Sequence, residues 1–443
     1  MSKLIKIPNY QNPCEVIING VKYQYPAGET CLVPDEVAMV IENVENNAPK
    51  YAKEYVSSPD IVETVSGEVI TVSDSAEAPL QGLRVFGKTI QNGTPTPEAP
   101  VALESVGADG NVTVTVAGRN LFDTSFVADR SKNGIQTKRN ADGSIRLSGT
   151  PTITLRYLKA EEDEFLRLPA GTYTLHPANS FLESLSGDKH QGTFTLTVET
   201  GFKNAALTLN TSLTYDEDVY IQLEAGVTAT AYELYKEARS FPIPTHNGLP
   251  GIPVASGGNY TDANGQQWIC DEVDFEKGVY VQRVRNMTPE DIISSGLTLY
   301  GTNDAGIANF LIPLKGTVYE GVSLNLGLCS HMSKQSSMYA DATAEGVYFV
   351  GGGNIFVRLN SSRASTVKTF KEWVADSNLN IQYILATPIM RNLTEDILAA
   401  INTSYPSTTV YNDAGADMEV KYVADTKLYV DNKFNVLAAM INA

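Results

Sequence analysis

The sequence predicts a mainly β protein, and three observations carry that expectation. Short segments of alternating apolar and polar residues recur along most of the chain, separated by Gly, Asn, Asp and Pro turns. Only 19% of the 443 residues are charged, and Thr, Ser, Asn, Gly and Tyr take the places that Lys, Glu and Arg fill on helical surfaces. Helical periodicity is confined to a few short stretches. The expected architecture is a small N-terminal hairpin-plus-helix unit, two β-sandwich (jelly-roll-like) domains and a short C-terminal helix.

Residues 1–57 form the first unit. VIINGVKYQY reads as a hairpin turning at Asn19-Gly20, a two-residue loop whose residues accept the positive φ angles of a tight turn. PAGET is a second turn. PDEVAMVIENVEN then reads as a helix opened by Pro34 and Asp35, with Val37, Val40, Ile41 and Val44 on one face. So small a unit has little core of its own and makes sense docked on something large, with those four residues as its anchoring face. Residues 58–80 are acidic and Ser-rich and read as a linker holding one strand.

From residue 81 the spacing becomes that of a β-sandwich. NVTVTVAG alternates strictly, Asp142-Gly143 separates two strands, and PAGTYTLHP, GTFTLTVET and DVYIQLEAG follow at regular intervals. Residues 119–235 are expected to fold as one sandwich, with 81–118 and 236–423 forming a second β-domain that pairs across it. Helices are expected at 366–376, with Phe370, Trp373 and Val374 inward, and at 394–402 behind Thr394 as N-cap. Residues 424–443 read as helix. Val430, Phe434, Leu437 and Ile441 repeat at heptad spacing, which suits either packing on the chain's own domain or a three-copy bundle.

The net charge of −18 argues against nucleic-acid partners and against an anionic membrane surface. The opening MSKLIKIPNYQNP holds no long apolar run, so synthesis and assembly in a cytoplasm are expected, with no membrane insertion. Four cysteines without a CxxC pair exclude a zinc ribbon. Cys14 and Cys31 either bridge the N-terminal hairpin or stay as thiols.

No catalytic, cofactor or metal site is expected. His176, His190, His246 and His331 lie far apart and read as surface or loop residues. The acidic run at 161–164 reads as a solvated turn rather than a glycosidase pair. Asp262-Ala263-Asn264-Gly265 begins like a calcium loop but lacks a Glu at the twelfth position, and Gly351-Gly352-Gly353 lacks the Lys-Ser/Thr of a phosphate loop. The 22 tyrosines suit glycan stacking, protein interfaces and β-cores alike.

Four stretches resemble structural proteins of phages of Gram-positive bacteria. They are Lys88 to Pro100 with VALESVG and GRNLFD behind it; VYIQLEAGVTATAYELY at 219–235; Asn247-Gly248-Leu249-Pro250 through CDEVDFEKGVYVQRV; and YPSTTVYNDAGADMEVKYVADTKLYVDNKF at 405–434. Residues 15–50 are similar to the start of head fibre proteins. The resemblance implies a virion component that is not an enzyme: a homotrimeric head fibre or capsid decoration protein, bound to a phage capsid protein and displaying carbohydrate-binding-module-like sandwiches to host-surface glycans. A tail or baseplate receptor-binding protein is the alternative it leaves open, and a polysaccharide depolymerase a more distant one.

Overall fold

The protein is mainly β, with few helices. The computed structural model describes residues 2–7, 14–18, 21–41, 61–73, 82–108, 111–160, 163–245, 248–314, 321–337, 341–401 and 407–424. The chain divides into two compact units, Met1–Val62 with Ala424–Ala443, and Glu63–Val423.

In the first unit, Ser2–Lys6 pairs antiparallel with Thr30–Pro34, and Cys14–Ile18 pairs with Val21–Tyr25 in a ladder whose last rung is Ile18 opposite Val21. Asn19 and Gly20, the expected turn, lie outside the described residues. A helix covers 35–41. Ile5, Ile7, Val16, Val33, Val37, Ala38 and Ile41 make one small core. The helix face expected to anchor the unit is turned partly into the unit's own core. Val37 and Ile41 are inside, but Val40 is 39% exposed, and Val44 lies outside the described residues. Successive residues turn by about 100°, so an arc that holds 37, 38 and 41 leaves 40 on its flank. Ala38 is small enough to seat that arc against the ribbon. The Cys31 thiol is free, so the bridge to Cys14 does not form.

Residues 61–73 hold two strands where one was expected. Ile61–Gly67 and Val69–Ser73 are both strands, one at the edge of a seven-stranded sheet and the other at the edge of a four-stranded one. Ser66 and Glu68 are exposed, while Ile70 and Val72 are buried. Opposite Val69–Ser73 lies Ser407–Asn412, with the Thr71 and Thr409 hydroxyls 3.0 Å apart.

The four-stranded sheet runs Arg239–Pro244, Asn111–Gly118, Ser407–Asn412, Val69–Ser73. Val112, Val114 and Val116 point from it into a core shared with Leu83, Val85, Val273, Met418 and Val420 of the seven-stranded sheet. Two long strands of that larger sheet, Val279–Met287 and Ile381–Asn392, pair with each other and extend into a second core. There they meet a further four-stranded sheet and the helix Val367–Ser377. Phe310 of the sheet stacks on Phe370 of the helix at 4.0 Å. Thr366 and Thr369 cap the helix start reciprocally, and Asn378 ends it in the left-handed region, φ 56°. A short helix, Pro289–Ser294, opens with the same kind of box between Thr288 and Asp291.

A sandwich with its own core is inserted within the four-stranded sheet. It leaves after Asn111–Gly118 and returns at Arg239–Pro244, and those two strands are adjacent, with Val116 opposite Arg239. Asn120 closes the neck. Its Nδ2 donates to the Ile221 and Glu233 carbonyls, and its Oδ1 accepts from the Phe122 and Leu223 N–H groups, all within 3.1 Å. Both donors and both acceptor directions of a buried amide are thereby used. Beside it Arg119 pairs with Glu233 at 3.0 Å, and Ser407 donates to the same carboxylate at 2.7 Å, tying the insertion to the neighbouring strand.

Candidate binding site

Two dense polar constellations stand out, and they differ in kind. The first is buried. Asp271, Glu272 and Asp274 are 1–3% exposed, in and just before the strand Glu272–Asp274 at the centre of the seven-stranded sheet. Glu272 accepts from Arg84, Arg283 and Asn259 at 2.8–3.0 Å. Asp271 accepts from the Arg283 and Val284 N–H groups at 2.7 and 2.8 Å and from the Tyr280 hydroxyl at 2.5 Å. Burial outweighs these bonds and pushes its pKa up to about 7. Tyr260 stacks on Phe86 at 4.2 Å and donates to Asp417, which also pairs with Lys88. Every group here is engaged by another strand or turn, so the cluster is a clasp and offers nothing to a ligand.

The second constellation is open. A cleft of about 400 Å³ lies at one end of the second core. One wall is the apolar run Pro100–Leu103. The other carries Asn286, Ser330, His331, Ser377, Asn378 and Asn380. The run at 100–103 is held because the Val101 N–H donates to the Ser330 carbonyl at 2.8 Å and Gln91 donates to the Cys329 carbonyl at 2.9 Å. The polar wall is set by the end of the helix Val367–Ser377 and the turn after the strand Val322–Cys329. The Ser330 N–H donates to the Asn380 carbonyl, and the Asn380 N–H donates to Ser330 Oγ, both at 2.9 Å.

His331 lies in a loop, as expected, but it is not at the surface: it is only 4% exposed and sits edge-on to Trp373. Burial lowers its pKa, and a ring N–H donates to the Ser377 carbonyl. In the neutral ring the other nitrogen is an acceptor. Nδ1 lies 2.8 Å from Ser330 Oγ, so the serine hydroxyl donates to it. Ser330 and His331 brace the wall, with the hydroxyl bonded on both sides. None of the residues lining this cleft is Asp, Glu, Lys or Arg.

The remaining sequence candidates are scattered. His190 packs against Phe194 and Phe202, His176 is exposed, and His246 lies outside the described residues. In the acidic run, residues 161 and 162 lie outside the described residues, and Glu164 is taken by Arg167, with bonds of 2.8 and 2.6 Å. Asp262 accepts from the Asn264 and Gln266 N–H groups and from the Trp268 indole, which closes its turn without a cation. Among the described residues no group of three or more His, Cys, Asp or Glu is placed to hold a metal, and no helix is long and apolar enough to cross a membrane. Val430, Phe434, Leu437 and Ile441, with the helix expected around them, lie outside the described residues. The cleft residues were missed because four separate segments supply them. The one local signal is the polar run Ser377-Asn378-Leu379-Asn380 directly behind a helix.

Comparison of the chain with family models, with curated proteins and with solved structures returns no match.

Proposed function

We propose that the protein is a structural component of a bacteriophage particle, a capsid-attached head fibre or decoration protein. The first unit attaches to the capsid protein, and the β-body is displayed on the virion surface toward host glycans. The chain assembles in the host cytoplasm as a homotrimer and carries no catalytic function.

One observation carries the reading. The stretches that resemble phage structural proteins are the ones that build the clasps: Arg119, Asn120 and Glu233 at the neck, Lys88 and Asp417 beside Tyr260, and Asp271 to Asp274 at the centre of the large sheet. They therefore support a shared architecture and not a shared chemistry. The first unit supports an attaching role in its own way. Val37 and Ile41 are interior, but Leu4 and Leu32, directly opposite each other on the ribbon, are 66% and 65% exposed, and Met39 and Val40 are also exposed. A small unit with that much apolar surface suits a docked state.

Deleting residues 1–57 tests the assignment. The truncated chain is expected to fold and to be missing from purified particles; normal incorporation refutes the anchor. Antibody labelling of intact particles is expected on the capsid, and signal confined to the tail tip replaces the head reading with the tail one.

A further inference from the structure

We infer that the cleft between Pro100–Leu103 and the wall around Asn286, Ser377 and Asn378 binds one or two units of an uncharged glycan. The inference deepens the adhesive role proposed above and rests on it. Three features carry it.

The first is size. A volume of about 400 Å³ is at the small end of ligand pockets and suits a mono- or disaccharide unit. The second is chemistry. The polar wall offers amides and hydroxyls, which supply both donors and acceptors, and sugar hydroxyls require both. With no ionised side chain in the lining and His331 held neutral by burial, phosphate, sulfate, carboxylate and amine ligands find no counter-charge. Both ring nitrogens of His331 are engaged within the protein, so the wall offers no nitrogen to a metal.

The third feature is rigidity. Asn378 is fixed at the helix end, and Asn380 is bonded through its backbone on both sides to Ser330. A wall already in place loses little freedom on binding. The apolar run Pro100–Leu103, part of the same lining, offers a surface for the C–H face of a pyranose ring. Such a site is weak alone and becomes useful when many copies meet a repeated surface.

The test uses the full chain and three uncharged probes, cellobiose, maltose and N,N′-diacetylchitobiose, with sialyllactose and a galacturonic acid dimer as charged controls. Binding is followed by saturation-transfer NMR and calorimetry. At least one uncharged probe is expected to bind at millimolar concentration and the charged controls not to. Ala102→Trp fills the mouth from an exposed position, and Asn286→Leu removes the amide at constant size. Each is expected to weaken binding about tenfold or more, with thermal melting showing that the variant is folded; if one fails to fold, the other decides. Absence of binding by all uncharged probes, preference for the charged controls, or native binding by a folded variant overturns the site. Saccharide binding lost in the variants while residues 1–57 prove dispensable for incorporation would sink the anchor and leave the cleft. A correct anchor with a cleft that binds nothing would do the reverse.

Discussion

Raising the pH is expected to destabilise the body through one carboxyl group, Asp271. The group is fully buried, and its pKa stands at about 7 against an ordinary 3.8. A folded-state pKa above the unfolded one means that folding favours the protonated form. The stabilisation is fully present below about pH 4 and is lost as the pH rises to about 7. A tenfold change in proton affinity is worth about 1.4 kcal/mol, so the loss across that window is about 4 kcal/mol. The direction opposes ordinary acid denaturation, and other carboxylates titrate in the same range. A difference measurement against Asp271→Asn separates this group from them.

The amide keeps the shape. Its oxygen can accept from the Arg283 and Val284 N–H groups, and its nitrogen can donate to the Tyr280 oxygen. Urea unfolding of both proteins, followed by tryptophan fluorescence from about pH 4 to about pH 8, gives the comparison. The native protein is expected to lose stability relative to the variant as the pH rises. A difference that stays flat, or that grows in favour of the native protein, refutes the reasoning that burial dominates the three hydrogen bonds and the nearby Arg283.

Two further substitutions test the packing account. Arg358 is 1% exposed, with Nε and Nη1 lacking partners among the described residues, and burial lowers its pKa. Arg358→Met keeps the apolar stem and removes the buried charge, so thermal or urea unfolding is expected to show a gain of about 1–3 kcal/mol; a loss of that size would show that the guanidinium is well satisfied. Asn120→Ala strips partners from two N–H groups and two carbonyls at the neck of the insertion. It is expected to cost at least about 3 kcal/mol in the same measurement, and a cost below about 1 kcal/mol would mean that the neck does not depend on this amide.

The β class was legible because the alternation is local. In NVTVTVAG every second residue is Val, and Val112, Val114 and Val116 are all buried. The helix at 367–377 was legible for the same reason, since Phe370 and Val374 repeat at four residues and both are fully buried. Where composition was weighed above alternation a strand was missed: residues 61–73, rich in Ser and Glu, hold two strands where one was expected. The helix Pro289–Ser294 has a full capping box but is too short to show an apolar face, so no period announces it. The cleft was out of reach for a different reason. Asn286, Ser330 and Asn380 are brought together by pairings between strands and turns distant in sequence, and no spacing within one segment encodes that meeting.

The clasps also bear on where this fold can change. Residues 119–235 enter and leave through adjacent strands, so the body closes behind the insertion with Val116 opposite Arg239 whatever the insertion contains. The constraint falls instead on a few residues at the neck, where Arg119, Asn120, Glu233 and Ser407 must keep their bonds. The turn at Asp142-Gly143 shares that burden, since the Tyr232 hydroxyl, next to Glu233, donates to the Asp142 carbonyl at 3.1 Å. The cleft does not use the insertion at all: its lining comes from Pro100–Leu103, Asn286, the turn at Ser330 and His331, and the end of the helix through Asn380. Adhesion through the cleft and any recognition by the inserted sandwich are therefore separable: a change confined to 121–232 should leave cleft binding intact, and a change at Asn286 should leave the sandwich folded.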